Sequence, residues 1–177
     1  MLTATGLEVR AGARLLLDEA TFRVGPGDRV GLVGRNGAGK TTLCRILAGE
    51  SAAAAGVVDR TATVGYLPQD PRTGDLDTIA RDRVLSARGI DALMRDMEKA
   101  QIELAERPDD DALIRRYGRL EEQFTALGGY SAEAEADRIC SNLGLPERVL
   151  GQPLRTLSGG QRRRVELSRI LFSDART

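Results

Sequence analysis

Gly34-Arg35-Asn36-Gly37-Ala38-Gly39-Lys40-Thr41-Thr42 is the stretch on which the reading of the chain turns. It matches G-x-x-x-x-G-K-[ST], the phosphate-binding loop or Walker A pattern. Glycines at 34, 37 and 39 let the backbone curl, so that the N–H groups of Gly34, Asn36, Gly37, Ala38, Gly39, Lys40, Thr41 and Thr42 can point at phosphate oxygens. A helix beginning near Gly39 adds the positive end of its dipole at the same place. Lys40 supplies a mobile ammonium for the outer phosphates, and the Thr41 hydroxyl can ligate Mg²⁺.

The flanks support that reading. Asp28-Arg29-Val30-Gly31-Leu32-Val33 predicts a buried strand running into the loop, apolar on both faces. Thr42–Ala48 predicts the helix that leaves it, closed by Gly49. Upstream, Leu7–Arg10 and Ala20–Val24 alternate in period two, as half-buried strands do, and Gly25-Pro26-Gly27-Asp28 marks a turn. Downstream, Val57–Arg60 and Thr63–Leu67 predict two more strands, the second ending at Pro68-Gln69-Asp70.

The totals restrict the class of protein. The 177 residues suffice for one domain with an appendage, and 41% hydrophobic content supports a core. The 26 basic and 26 acidic residues cancel, so no global field recruits nucleic acid or membrane. Cys44 and Cys140 are too few for a disulfide framework and predict reduced thiols, which fits a cytoplasmic protein. Met1–Gly12 lacks the pattern of a signal peptide, and no apolar run has the length of a membrane span, so no membrane insertion is expected.

Beyond Leu67 the periodicity turns helical. Leu76–Ala87 predicts a helix with Asp75 or Asp77 near its cap. Leu93, Met97, Ala100 and Leu104 form one apolar seam, and Leu113, Tyr117, Leu120, Phe124 and Leu127 form another. Arg107-Pro108-Asp109-Asp110-Asp111 lies between them as a breaker. Two seams joined by a short turn predict an antiparallel coiled-coil hairpin, against the alternative of two ordinary amphipathic helices on a core. Over Ile90–Leu127 ten acidic residues outnumber six basic ones, so the hairpin is no generic phosphate-binding arm. Ser131 can cap a further helix reaching Leu143, stopped by Gly144-Leu145-Pro146. A last helix over Arg162–Phe172 is expected to bury Val165, Leu167, Ile170 and Leu171 to some degree.

Leu157-Ser158-Gly159-Gly160-Gln161 precedes that helix. A Ser hydroxyl, glycine N–H groups and a helix N-terminus make a second anion site of the same physical kind as the first. With the Walker A loop and a strand ending in Gln69, this motif resembles the signature of ATP-binding cassette (ABC) proteins. Gly34-Arg35-Asn36-Gly37, Leu127-Gly128-Gly129-Tyr130 and the extra hairpin between Gln69 and Ser158 are similar to the ABC-F branch. The resemblance covers essentially the whole chain. It implies an α/β P-loop NTPase cassette core, incomplete here, with an antiparallel β subdomain and a helical subdomain carrying the hairpin. Residues 1–70 would hold the β subdomain and P-loop core, 71–157 the helical subdomain with its hairpin at about 90–127, and 158–177 the signature helix.

The resemblance further implies ATP and Mg²⁺ as cofactors, with Gln69 positioning water and Mg²⁺ beside Thr41. It implies that Ser158, Gly159, Gly160 and Gln161 close over the ATP of a second cassette. ABC-F proteins are soluble and act on ribosomes as translation or antibiotic-resistance factors, so the ribosome is a partner by resemblance only. The alternatives are a transporter's ATP-binding subunit, whose corresponding segment is shorter, and a non-catalytic nucleotide-binding fragment.

Three features depart from the family pattern. The Walker B strand with its Asp and catalytic Glu is expected after the signature helix and is not found by residue 177. The chain has no His to serve as the family's switch residue. Ala11 stands where an aromatic usually stacks on adenine, so ATP and GTP are expected to bind within a few-fold of each other. Binding without turnover is the expectation for these residues, with Asp70 and Glu166 the carboxylates to test should turnover occur.

Overall fold

Residues 1–68, 75–173 and 175 are described by the computed structural model. Their contacts divide into two units, one formed by Met1–Tyr66 and the other by Leu67–Ser173.

In the first unit, alternating apolar residues give β1 (Leu2–Ala11) and β2 (Arg14–Val24), joined by a tight turn at Gly12-Ala13. The loop helix α1 spans Lys40–Ala48, and β3 spans Ala55–Arg60. The strands form an antiparallel sheet in the order β2-β1-β3. Ala4, Leu7 and Val9 are buried with Leu43 and Ile46 of α1, which seats the helix on the sheet. Gly49 takes the left-handed conformation at φ 86° and ends α1, as its sequence position implies.

Two expected strands are absent. Asp28–Val33 is no ladder strand: Val30 is 70% exposed and Val33 91%. Thr63–Leu67 likewise lacks strand pairing. Both have the composition of a strand, but a strand exists only through a neighbour's hydrogen bonds, and among the described residues no segment pairs with either.

The second unit is helical: α2 (Ala80–Leu85), α3 (Ile90–Glu106), α4 (Asp111–Ala126), α5 (Gly129–Asn142), α6 (Glu147–Leu150) and α7 (Gly159–Phe172). Helix α2 starts later than expected. The Thr78 and Leu76 carbonyls accept from the N–H groups of Leu154 and Arg155, and Ile79 bridges Pro153. Those cross-chain bonds hold the backbone extended until Ile79, and neither Asp75 nor Asp77 caps the helix.

Helices α3 and α4 pack as the expected hairpin, with Asp110 capping α4 by accepting from Ala112 and Leu113 N–H. Ala100, Leu113 and Phe124 are buried along it, whereas Leu127 is 42% exposed. Ser131 is not a cap. The left-handed Gly128 starts α5 at once, and the Ser131 hydroxyl donates to its carbonyl from inside the first turn. Gly129 is required there, because a Cβ would fall 2.4 Å from the Phe124 ring. On α7, Phe172 and Val165 are buried while Leu171 is 52% exposed, so the buried stripe misses one residue of the expected set. Glu166 and Ser168 lie inside instead.

Candidate phosphate-binding site

The loop at 34–42 is built by backbone conformation. Gly37 and Gly39 adopt φ 77° and 88°, and the Ala38 N–H closes a turn on the Arg35 carbonyl at 3.2 Å. Gly39 is the N-cap of α1, and a Cβ there would fall 2.6 Å from Leu16 Cδ1. Conformation and packing both exclude a side chain at that position. The Leu43 N–H bonds the Gly39 carbonyl, leaving the N–H groups of Lys40, Thr41 and Thr42 as the free first turn that suits an anion.

The Lys40 ammonium donates to the carbonyls of Gly34 at 2.7 Å and Arg35 at 2.8 Å. It thus lies across the mouth of its own loop, with a third N–H to spare. Thr41 is exposed and Thr42 half-buried at the start of α1. The donor set is what a polyphosphate needs: backbone N–H groups, one ammonium and a hydroxyl able to meet a divalent cation. Gln69 and Asp70 lie outside the described residues.

Support for α1 comes from a residue that motif reading passed over. Arg60, at the end of β3, donates through Nε to the Leu47 carbonyl at 2.8 Å and through a terminal nitrogen to the Ile46 carbonyl at 2.7 Å. The guanidinium caps the C-terminus of α1, where a cation also complements the dipole. No local pattern announces a partner 13 residues away.

In the second unit, Ser158 and Gln161 form a reciprocal capping box at the start of α7. The Ser158 Oγ accepts from Gln161 N–H at 3.2 Å, and the Gln161 Oε1 accepts from Ser158 N–H at 2.8 Å. The Ser158 hydroxyl proton remains available to donate outward. A Cβ added at Gly159 or Gly160 would meet nothing within 4 Å. Two poor helix formers therefore open α7 with no packing reason among the described residues, and their N–H groups stay approachable.

Glu166 has a different role from the base considered above. Its side chain is 2% exposed and accepts from Arg83 Nε at 2.6 Å and Arg169 Nε at 2.9 Å. The carboxylate ties α7 to α2 and is fully engaged. Nearby, the Arg88 guanidinium lies 4.0 Å from the centre of the Phe172 ring and pairs with Glu135.

Residues 17–177 match the family model described as ABC transporter. The tylosin resistance ATP-binding protein TlrC of Streptomyces fradiae is 37% identical, over 97% of this chain and 32% of that protein. The energy-dependent translational throttle protein EttA of Mycobacterium tuberculosis is 33% identical, over 92% of this chain and 29% of its own length. The probable ATP-binding protein YheS of Escherichia coli K12 is 32% identical, over 97% and 26%. The chain thus spans about a third or less of the curated relatives it matches. Among solved structures, a dimeric ATP-binding cassette bound to ADP and phosphate superposes with a TM-score of 0.63 at 16% identity, covering 99% of this chain and 71% of that one. An ATP-binding subunit of an ABC transporter gives 0.63 at 19%, covering 99% and 63%. At those identities the likeness concerns the fold, which is that of a P-loop NTPase cassette. Motifs, fold and relatives agree: the chain belongs to the ATP-binding cassette family, in its ABC-F branch.

Proposed function

We propose that this chain binds ATP with Mg²⁺ at Gly34–Thr42, as one cassette of an ABC-F ATPase that works on the ribosome. The observation that carries the binding reading is the placement of the Lys40 ammonium on the Gly34 and Arg35 carbonyls, beside left-handed Gly37 and Gly39 and the first turn of α1. Backbone N–H groups of Gly34, Asn36, Gly37, Ala38, Gly39 and Lys40 would hold the phosphates. Thr41 and Gln69 would hold the Mg²⁺, which when bound neutralises charge between the outer phosphates. Ser158, Gly159, Gly160 and Gln161 would face the nucleotide of a second cassette, donating a hydroxyl and two N–H groups to its terminal phosphate.

The ribosomal part of the reading is supported by the relatives' names, one a translational throttle protein and another a tylosin resistance protein. The α3–α4 hairpin favours it over a transporter's ATP-binding subunit, whose corresponding segment is expected to be shorter. A cytoplasmic setting follows from the same reading. These residues hold ATP rather than hydrolyse it, since the engaged Glu166 cannot accept a proton from water without releasing two arginines. Hydrolysis is assigned to the assembled two-cassette protein.

Two measurements test this. Equilibrium dialysis with ATP and Mg²⁺ should show binding that Lys40→Ala weakens. Full-length protein expressed in cells should co-sediment with ribosomes in an ATP-dependent manner. Recovery with membranes instead would turn the reading toward a transporter subunit.

A further inference from the structure

Val9 of β1 pairs with Leu17 of β2, and Arg10 pairs with Leu15, so Leu16 stands between them as the extra residue of a bulge. In a regular ladder Leu16 would project to the face opposite Leu15 and Leu17. The bulge turns it: Leu16 and Leu17 both pack against the core of the first unit, while Leu15 is 42% exposed. Its target is the phosphate loop. The Cδ1, Cβ and Cγ atoms of Leu16 lie 2.6, 3.2 and 3.3 Å from the point that a Cβ on Gly39 would occupy. The side chain therefore lies against the turn where the loop becomes α1.

No ladder fixes that turn. Among the described residues, 25–38 pair with no strand, and the loop's hydrogen bonds run within itself, from the Ala38 N–H to the Arg35 carbonyl and from the Lys40 ammonium to those of Gly34 and Arg35. Helix α1 is anchored further along, by the burial of Leu43 and Ile46 and by Arg60 on its last carbonyls. Leu16 meets the loop at the junction of the two. It also lines a cavity of about 150 Å³ that touches Ala38, Gly39 and Lys40. Shortening Leu16 would enlarge that void and free the turn to sink into it.

We propose that Leu16 is a positioning residue for phosphate binding, propping Gly39 and Lys40 so that the loop's N–H groups converge before a ligand arrives. An anion gains from several donors at once only when they are already aimed at one point. A loop that is competent for only part of the time binds more weakly by that fraction. Leu16 acts through the backbone of Gly39 and touches no ligand itself. The proposal rests on phosphate binding at Gly34–Thr42.

The test pairs calorimetry with amide exchange on the whole chain. With Mg²⁺ present, Leu16→Ala should weaken ATP, GTP and inorganic tripolyphosphate alike, by about tenfold where a tenth of the loops stay competent. Without ligand, the Leu43 N–H, which bonds the Gly39 carbonyl, should exchange faster in Leu16→Ala while Ile46 and Leu47 keep their protection. Leu16→Met keeps the volume and should restore both readouts, and Leu15→Ala should change neither. Val58→Ala thins the same core away from that cavity, so it should lower the unfolding temperature without moving affinity or Leu43 exchange. Equal effects in Val58→Ala would overturn the proposal, because general loosening would then suffice. A loss confined to ATP and GTP would overturn it too, by making Leu16 a contact of the nucleoside. Binding kept in Leu16→Ala but lost in Lys40→Ala would overturn it while leaving the loop assignment intact. Absence of binding by every ligand in the unaltered chain would overturn both.

Discussion

At the scale of single residues, the same chemistry serves opposite ends. Lys40 and Glu166 both carry a charge, but Lys40 rests on two carbonyls at an open loop and Glu166 is locked between two guanidinium groups. Lys40→Ala should lower ATP affinity tenfold or more, the loss of one charge-assisted contact of about 1.5–3 kcal/mol, and Thr41→Ala should flatten the dependence on Mg²⁺. Dialysis across a Mg²⁺ series reads both. Glu166→Ala should instead act on stability, by about 3 kcal/mol, because Arg83 and Arg169 then face each other half-buried. Urea unfolding would show it. Loss of a hydrolytic activity with stability unchanged would mean that Glu166 is a base after all. Burial pushes the Cys140 thiol above the ordinary cysteine range, partly opposed by a hydrogen bond with Ser168. Its contribution to stability is whole below the ordinary value and is lost as pH rises through the raised one. At pH 8 iodoacetamide should therefore label the half-buried Cys44 well before Cys140, and equal rates would contradict the packing of α5 on α7.

At the scale of elements, capping decides how firmly each motif is held. Ser158→Ala removes one half of the capping box and should cost about 1 kcal/mol, while Ser158→Asp keeps the cap but sets an anion where a phosphate is proposed to arrive. Stability rescued by Asp without rescue of cassette pairing would separate cap from ligand. Arg60→Ala should cost about 1 kcal/mol and loosen α1 from its C-terminal end, measurable as faster amide exchange at Ile46 and Leu47. The same caps explain what could be read from sequence. The loop, the end of α1 at Gly49, Asp110 and Ser158 are local devices in which a residue answers its own neighbours, and each is found where its sequence indicates. What could not be read depends on partners far along the chain. The late start of α2 follows from its pairing with Pro153–Arg155, the Arg60 cap from a helix one strand earlier, and the burial of Glu166 from Arg83. In the site, motif residues were legible, whereas Leu16 emerges only through the register of β1 with β2.

At the scale of the whole molecule, the first unit carries apolar surface that its own residues leave uncovered. Val30, Leu32 and Val33 are 70%, 47% and 91% exposed on a segment without strand pairing. Beside them an apolar cavity of about 680 Å³ opens between Phe22, Leu43, Leu47 and Tyr66. Sequence composition marks 28–33 as the interior of a sheet, and an unpaired apolar edge of this kind is a template for another chain. Contiguous exposed apolar surface also drives association without any specific fit. The 177 residues should consequently associate as concentration rises, seen by sedimentation velocity as a growing weight-average mass. Val30→Lys with Val33→Lys should suppress this, because two strongly hydrated charges make an edge unfit for pairing, and neither residue lies in the phosphate loop. ATP should counter it as well, since a hundredfold excess over its Kd favours the folded state by about 2.7 kcal/mol and draws chains out of partly open forms. Lysine substitution that leaves association untouched would point to a different surface, the exposed Ile102 and Ile114 of the α3–α4 hairpin being the next to alter. A monomer at every concentration, unfolding in one cooperative transition, would refute the view that 28–33 is a strand held ready for a neighbour.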